Sequence, residues 1–98
     1  MPARHPVVHD AAAHRFEIRQ DGHVAYVSYV LRPGVVVFEH TIVPEALGGR
    51  GVGSALARHV LDWAAAQGGL QVDPQCPFIR GWIDKHPAYQ ANSLAHGA

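Results

Sequence analysis

One thiol, one strand histidine and one run of glycines are the features of this 98-residue chain that could do chemistry. Cys76 is the only cysteine. Pro77 follows it and suits the first position of a helix. The opening of a helix favours a thiolate, so a thiol there can act as nucleophile or acid. A small buried hydrophobe is the other reading of Cys76. His40 carries the side chain whose ordinary pKa lies nearest neutrality, which suits proton transfer. Its other reading is a solvent-facing strand residue. Gly48-Gly49-Arg50-Gly51-Val52-Gly53-Ser54 leads into a predicted helix. The first turn of a helix carries unpaired N–H groups and partial positive charge. Glycines let a phosphate approach such a backbone, and Arg50 adds a cation. A flexible connector is the other reading. The nucleotide P-loop is excluded, because Ser54 and not Lys follows Gly53. G-x-G-x-x-G fits in no register, since Gly49-x-Gly51 continues to Ser54 and Gly51-x-Gly53 to Leu56.

The elements around these residues follow from periodicity. Residues 1–14 read as a loose or partly extended start. Arg15-Phe16-Glu17-Ile18-Arg19 alternates polar and apolar, as a half-buried strand does. Asp21-Gly22 is a hairpin signal, and His23 to Leu31 forms the second strand. Pro33-Gly34 turns the chain into a third strand, Val35 to Val43. Its apolar start predicts an interior place in the sheet. A helix is expected from about Gly51 to Gln67, with Val52, Ala55, Leu56, His59, Val60, Trp63 and Ala64 on its buried face. Gly68-Gly69 ends it, after roughly 25 Å at 1.5 Å per residue. Leu70 to Val72 is a short strand, closed by Asp73-Pro74 and expected to run parallel to the third. A last helix covers Phe78 to about His86, and residues 90–98 read as frayed. The order β-β-β-α-β-α predicts an α+β fold, a single domain over 1–98.

Composition narrows the function classes. Hydrophobic residues make up 48% and charged residues 16%, as in a globular domain. Lys plus Arg and Asp plus Glu are both 8. That balance argues against a general nucleic-acid binder, whose affinity needs uncompensated cations. No apolar run reaches the ~20 residues that cross a bilayer, and Met1 to Pro6 does not resemble a signal peptide. With one cysteine and no disulfide, a cytoplasmic location is expected. The eight histidines suggest no metal site. Only His5 and His9 share the i, i+4 spacing of a helical ligand pair, and they flank Pro6 where no helix is expected.

Gly49 to Gly53, followed by Ser54-Ala55-Leu56, resembles the acyl-coenzyme A loop of the GCN5-related N-acetyltransferases, Gln/Arg-x-x-Gly-x-Gly/Ala. Gly51 and Gly53 fill its small positions; Gly48 stands where Gln or Arg is usual. The run Cys76-Pro77-Phe78-Ile79-Arg80-Gly81-Trp82-Ile83-Asp84-Lys85-His86-Pro87-Ala88-Tyr89 strengthens the likeness. With Glu39-His40-Thr41 and Val43-Pro44, it resembles the compact branch of that superfamily. The likeness extends from about residue 16 to 90.

The resemblance implies an N-acetyltransferase that uses acetyl-coenzyme A as cosubstrate, with no metal, on an amine of unspecified identity. The pantetheine arm would enter between two parallel strands that splay apart, meeting backbone groups of Ile42 and Val43. Gly48, Gly49, Arg50, Gly51, Val52, Gly53 and Ser54 would hold the diphosphate, and Lys85 or Arg80 would meet the coenzyme's phosphates. Cys76, beside the cofactor, and His40 are the catalytic candidates, with Tyr89 a further proton donor in this superfamily's manner. Fuller members carry helices between their first two strands, where this chain has only Asp21-Gly22. The acceptor side is therefore expected to be open, for a bulky amine or for walls supplied by a second subunit in a homo-oligomer. A non-catalytic module that binds acetyl-coenzyme A or coenzyme A is the alternative.

Overall fold

The computed structural model describes residues 5–97. Five strands form one sheet in the order β1-β2-β3-β4-β5. They are β1 (Val8–Asp10), β2 (Arg15–Gln20), β3 (His23–Arg32), β4 (Val35–Ile42) and β5 (Gln71–Pro74). The first four are antiparallel, and β5 runs parallel to β4. Helix α1 (Val52–Ala66) makes the crossover between them, and α2 (Pro77–Asp84) follows β5. The α+β fold is as expected.

The β2–β3 turn shows local chemistry setting register. Asp21 and Gly22 both have left-handed φ, 52° and 76°. A two-residue hairpin that matches strand twist requires this at both positions. It aligns Phe16 with Val27 and Ile18 with Ala25, so these side chains share one face. They join Tyr29, Val36, Phe38, Val72 and both helices in one buried core. The other face presents Tyr26, Ser28 and His40, and among the described residues no helix packs into a core there. Glu17 lies on that face yet is only 4% exposed. Arg15 (2.6 Å) and Arg19 (3.0 Å) flank it and cancel its charge, which a buried carboxylate requires. The alternating pattern placed Glu17 toward solvent without showing that two arginines cover it.

Helix α1 buries Val52, Leu56, Ala57, Val60, Leu61 and Ala64. The stripe is rotated from the expected one. His59 is exposed, and Ala55 and Trp63 lie at the margin. Trp63 packs edge-on to Phe16 (5.2 Å between centroids), so the helix turns Ala57 and Leu61 inward. The last strand is one residue later and longer than expected, and includes Asp73 and Pro74. The last helix ends at Asp84, short of His86.

The expected loose ends fall partly on residues 1–4 and 98, outside the described residues. Of the rest, Val8–Asp10 pairs with β2, a strand too short for periodicity to reveal. Ser93 is fully buried and bridged to Val72, whose N–H donates to the Asn92 carbonyl (2.8 Å). The Ser93 hydroxyl meets His96 Nδ1 (2.6 Å), and His96 Nε2 meets Asp84 (2.5 Å). This tail covers the free edge of β5 and is not frayed.

His9 ties β1 to the core. Its Nε2 lies 2.6 Å from the Tyr29 hydroxyl, and its ring stacks on Phe16 at 4.1 Å. Burial holds its pKa below the ordinary histidine value; His59 pushes the same way and Asp10 opposes. The unfolded chain therefore binds this proton more readily. His9 adds stability above pH ~6.5 that is lost as pH falls through its folded pKa. Thermal unfolding from pH 7.5 to 5 should show wild type losing stability on acidification. His9→Phe should show a flatter profile over that range.

Candidate active site

β4 has partners on both sides for only part of its length. Opposite β3, Tyr29 pairs with Phe38 but Ser28 pairs with His40, so Glu39 is an extra residue. Such a bulge bends the strand and increases its twist. Opposite β5, pairing runs from Val35–Gln71 to Phe38–Pro74 and stops. Pro74 has no N–H for the ladder. The Gln75 N–H turns back to the Asp73 carbonyl (3.1 Å), and the chain enters α2. One further link, from the Cys76 N–H to the Phe38 carbonyl (2.9 Å), closes the apex. Beyond it, the Glu39–Val43 edge on the β5 side has no strand partner among the described residues. β5 ends there, so a wedge opens between β4 and the chain entering α2, and the open β4 backbone can pair with an extended, amide-bearing ligand.

The glycine loop joins the end of β4 to α1. Pro44 ends the strand, and a short 3-10 turn, Glu45–Leu47, anchors through the buried Leu47. Gly49 and Gly51 then take left-handed φ, 75° and 77°. Gly51 is the N-cap of α1, and among the described residues no side chain caps the helix. The first helical hydrogen bond runs from the Ala55 N–H to the Gly51 carbonyl (2.9 Å), so the N–H groups of Val52, Gly53 and Ser54 remain for another acceptor. Gly53 has a different reason to be glycine. A Cβ there would sit 2.8 Å from Phe78 Cζ, so this glycine lets α2 approach α1. Trp82 Nε1 donates to the Ser54 hydroxyl (2.9 Å) across the same contact. Gly51→Ala should cost ~1–2 kcal/mol in chemical denaturation, the penalty of a Cβ in left-handed backbone, and Gly51→Asn less.

The expected site residues divide between the two faces of the sheet. Cys76 is the N-cap of α2 and only 3% exposed. Its thiol donates to the Thr41 hydroxyl at 3.0 Å. Thr41 pairs with Val27 and so belongs to the helix-covered face, where Val43 also packs. His40 and Ile42 pair with Ser28 and Tyr26 on the uncovered face, and both are exposed. Cys76 and His40 thus flank the wedge from opposite sides and do not touch. Opposite His40, the Ser28 hydroxyl is buried with no hydrogen-bond partner among the described residues. Lys85 joins Pro77, Phe78, Gly81 and Trp82 around a shallow cavity of about 260 Å³ on α2. Arg80 is exposed on α2. Tyr89 points elsewhere: its hydroxyl donates to Asp62 (2.8 Å). That bond, with burial, raises its pKa and holds its proton.

Two partners escaped the sequence. Thr41 was visible only as part of the Glu39-His40-Thr41 string, and nothing local ties it to Cys76, 35 residues away. In the sequence Asp21 reads only as half of a hairpin turn. In the structure its carboxylate pairs with Arg50 (2.5 Å), the cation of the glycine loop.

The family model for GCN5-related N-acetyl-transferases matches residues 15–92. That span runs from the start of β2 to the tail beside β5, and includes the wedge, the loop and Cys76. No curated protein matches the chain.

Proposed function

Since the chain belongs to the GCN5-related N-acetyltransferase family, we propose that it transfers an acetyl group from acetyl-coenzyme A to an amine. One observation carries this reading. Pairing of β4 with β5 ends at Phe38, beside the Glu39 bulge, and the chain leaving β4 leads into a helix that opens with uncapped N–H groups. The pantetheine arm carries amides and fits an unpaired strand edge. The diphosphate fits the first turn of α1.

In this reading the Ile42 and Val43 backbone meets the acyl end of the arm. Residues Gly48 to Ser54 take the diphosphate, chiefly by N–H groups, with Arg50 as cation. Lys85, beside the α2 cavity, meets a further phosphate of the coenzyme. The amine approaches from the uncovered face, where His40 is exposed and can accept the proton the amine sheds. As the amine nitrogen bonds to the acyl carbon, the carbon–sulfur bond breaks and the leaving thiolate needs a proton. Cys76, on the other flank, supplies it. Its burial leaves little room for an acyl group on its own sulfur, which favours direct transfer.

The test is incubation of the folded protein with acetyl-coenzyme A and a panel of amines and basic peptides, followed by coenzyme A release and acceptor mass. Acceptor-dependent release with a gain of one acetyl group is the expected result. Tight coenzyme A binding with no turnover on any amine would instead favour the non-catalytic coenzyme-binding module.

A further inference from the structure

We propose that Asp21, at the tip of the β2–β3 hairpin, is a competing anion built into the coenzyme site, which weakens the hold of the glycine loop on the diphosphate. The inference rests on the reading of that loop as the diphosphate site.

Arg50 is the only charged residue between Gly48 and Ser54. Its guanidinium reaches back 29 residues to the Asp21 carboxylate, Nη1 to Oδ2 at 2.5 Å. The loop therefore presents a neutralised cation beside the α1 N-terminus. The contact is not an accident of two wandering side chains. Asp21 is fixed by its left-handed backbone in a two-residue turn with Gly22. The backbone of Arg50 is held as well. His5 Nε2 donates to the Arg50 carbonyl (2.9 Å), and His5 Nδ1 meets Gln20 Oε1 (3.1 Å), next to Asp21. The hairpin tip thus grips Arg50 by side chain and, through His5, by backbone.

The same contact is weak enough to be exchanged. Arg50 and Asp21 are 46% and 63% exposed, so water and salt screen them. A guanidinium has five donors, and a diphosphate offers it more negative charge than one carboxylate does. The coenzyme must still draw Arg50 away from Asp21 or tolerate the carboxylate nearby, and either lowers its affinity. Substrate and product share the diphosphate, so the penalty also speeds departure of coenzyme A after transfer.

The experiment is isothermal titration with coenzyme A at low salt on wild type, Asp21→Asn, Arg50→Gln and the double variant. Asparagine tolerates the left-handed backbone at position 21. Asp21→Gly serves equally if the turn is disturbed, and circular dichroism melts establish that each protein is folded. Asp21→Asn should bind coenzyme A about 1.5- to 5-fold more tightly, the range that exposed ion pairs span. That gain should vanish in the Arg50→Gln background and shrink at high salt. Unchanged or weaker binding by Asp21→Asn would overturn the proposal. So would an equal gain without Arg50. Those outcomes leave the coenzyme reading intact, because wild type still binds. Folded wild type that takes up no coenzyme A would remove both.

Discussion

Replacing Cys76 with alanine should lower the rate of acetyl transfer by about 10²- to 10⁴-fold, the usual contribution of a positioned proton donor. Coenzyme A affinity should change little, because in the proposed reading the diphosphate meets the N–H groups that open α1, away from Cys76. The reason lies in where the thiol sits. Cys76 is buried at the apex side of the wedge, and its proton faces the Thr41 hydroxyl. Thr41 lies beyond the end of β4–β5 pairing, so the thiol and hydroxyl line the flank where the proposed mechanism puts the leaving sulfur. Cys76→Ser keeps a donor of similar size but a much less acidic one, and should fall between wild type and alanine. Steady-state kinetics separate the outcomes. A drop in kcat with KM for acetyl-coenzyme A held constant supports the donor role. A change in KM alone would assign Cys76 to packing beside the coenzyme.

Phe38→Ala should be the most damaging single core change, with a loss of about 3–5 kcal/mol. A domain of this kind has only about 5–15 kcal/mol to lose. Phe38 is fully buried and belongs to the core that joins the sheet to both helices. It also pairs with Tyr29 and Pro74 on its two sides, and its carbonyl receives the Cys76 N–H. The ring therefore supports the point at which β4–β5 pairing ends. At about 4–8 °C per kcal/mol, the melting temperature should fall by at least ~12 °C in scanning calorimetry. A shift of only a few degrees would mean that the wedge apex is held by backbone pairing and not by this side chain.

The sequence revealed those parts whose physics is local. Asp21-Gly22 placed the hairpin because its two left-handed residues have few alternatives. The alternation from Arg15 to Arg19 and the apolar start of β4 placed the strands. Pro77 correctly marked the opening of α2, which put Cys76 at its cap. What escaped was set by long-range packing. No spacing rule joins Asp21 to Arg50 or Cys76 to Thr41, because the sheet brings them together only after folding. The bulge at Glu39 is equally silent in the sequence, since it is a mismatch between two strands and belongs to neither alone. The rotated stripe of α1 has the same origin: Trp63 meets Phe16 and Tyr29 at the margin, and the helix turns to accommodate it. The tail at 90–97 looked weak because its support, Asp84 and Val72, lies outside its own segment.

Amide hydrogen exchange with and without coenzyme A tests the wedge most directly. If the arm pairs with the exposed edge of β4 and the diphosphate with the helix opening, then the Val43, Val52, Gly53 and Ser54 amides should exchange more slowly when coenzyme A is bound. The uncovered face around Val30 and Val37 should be unaffected. Bound coenzyme A that leaves all four amides unprotected would contradict the account.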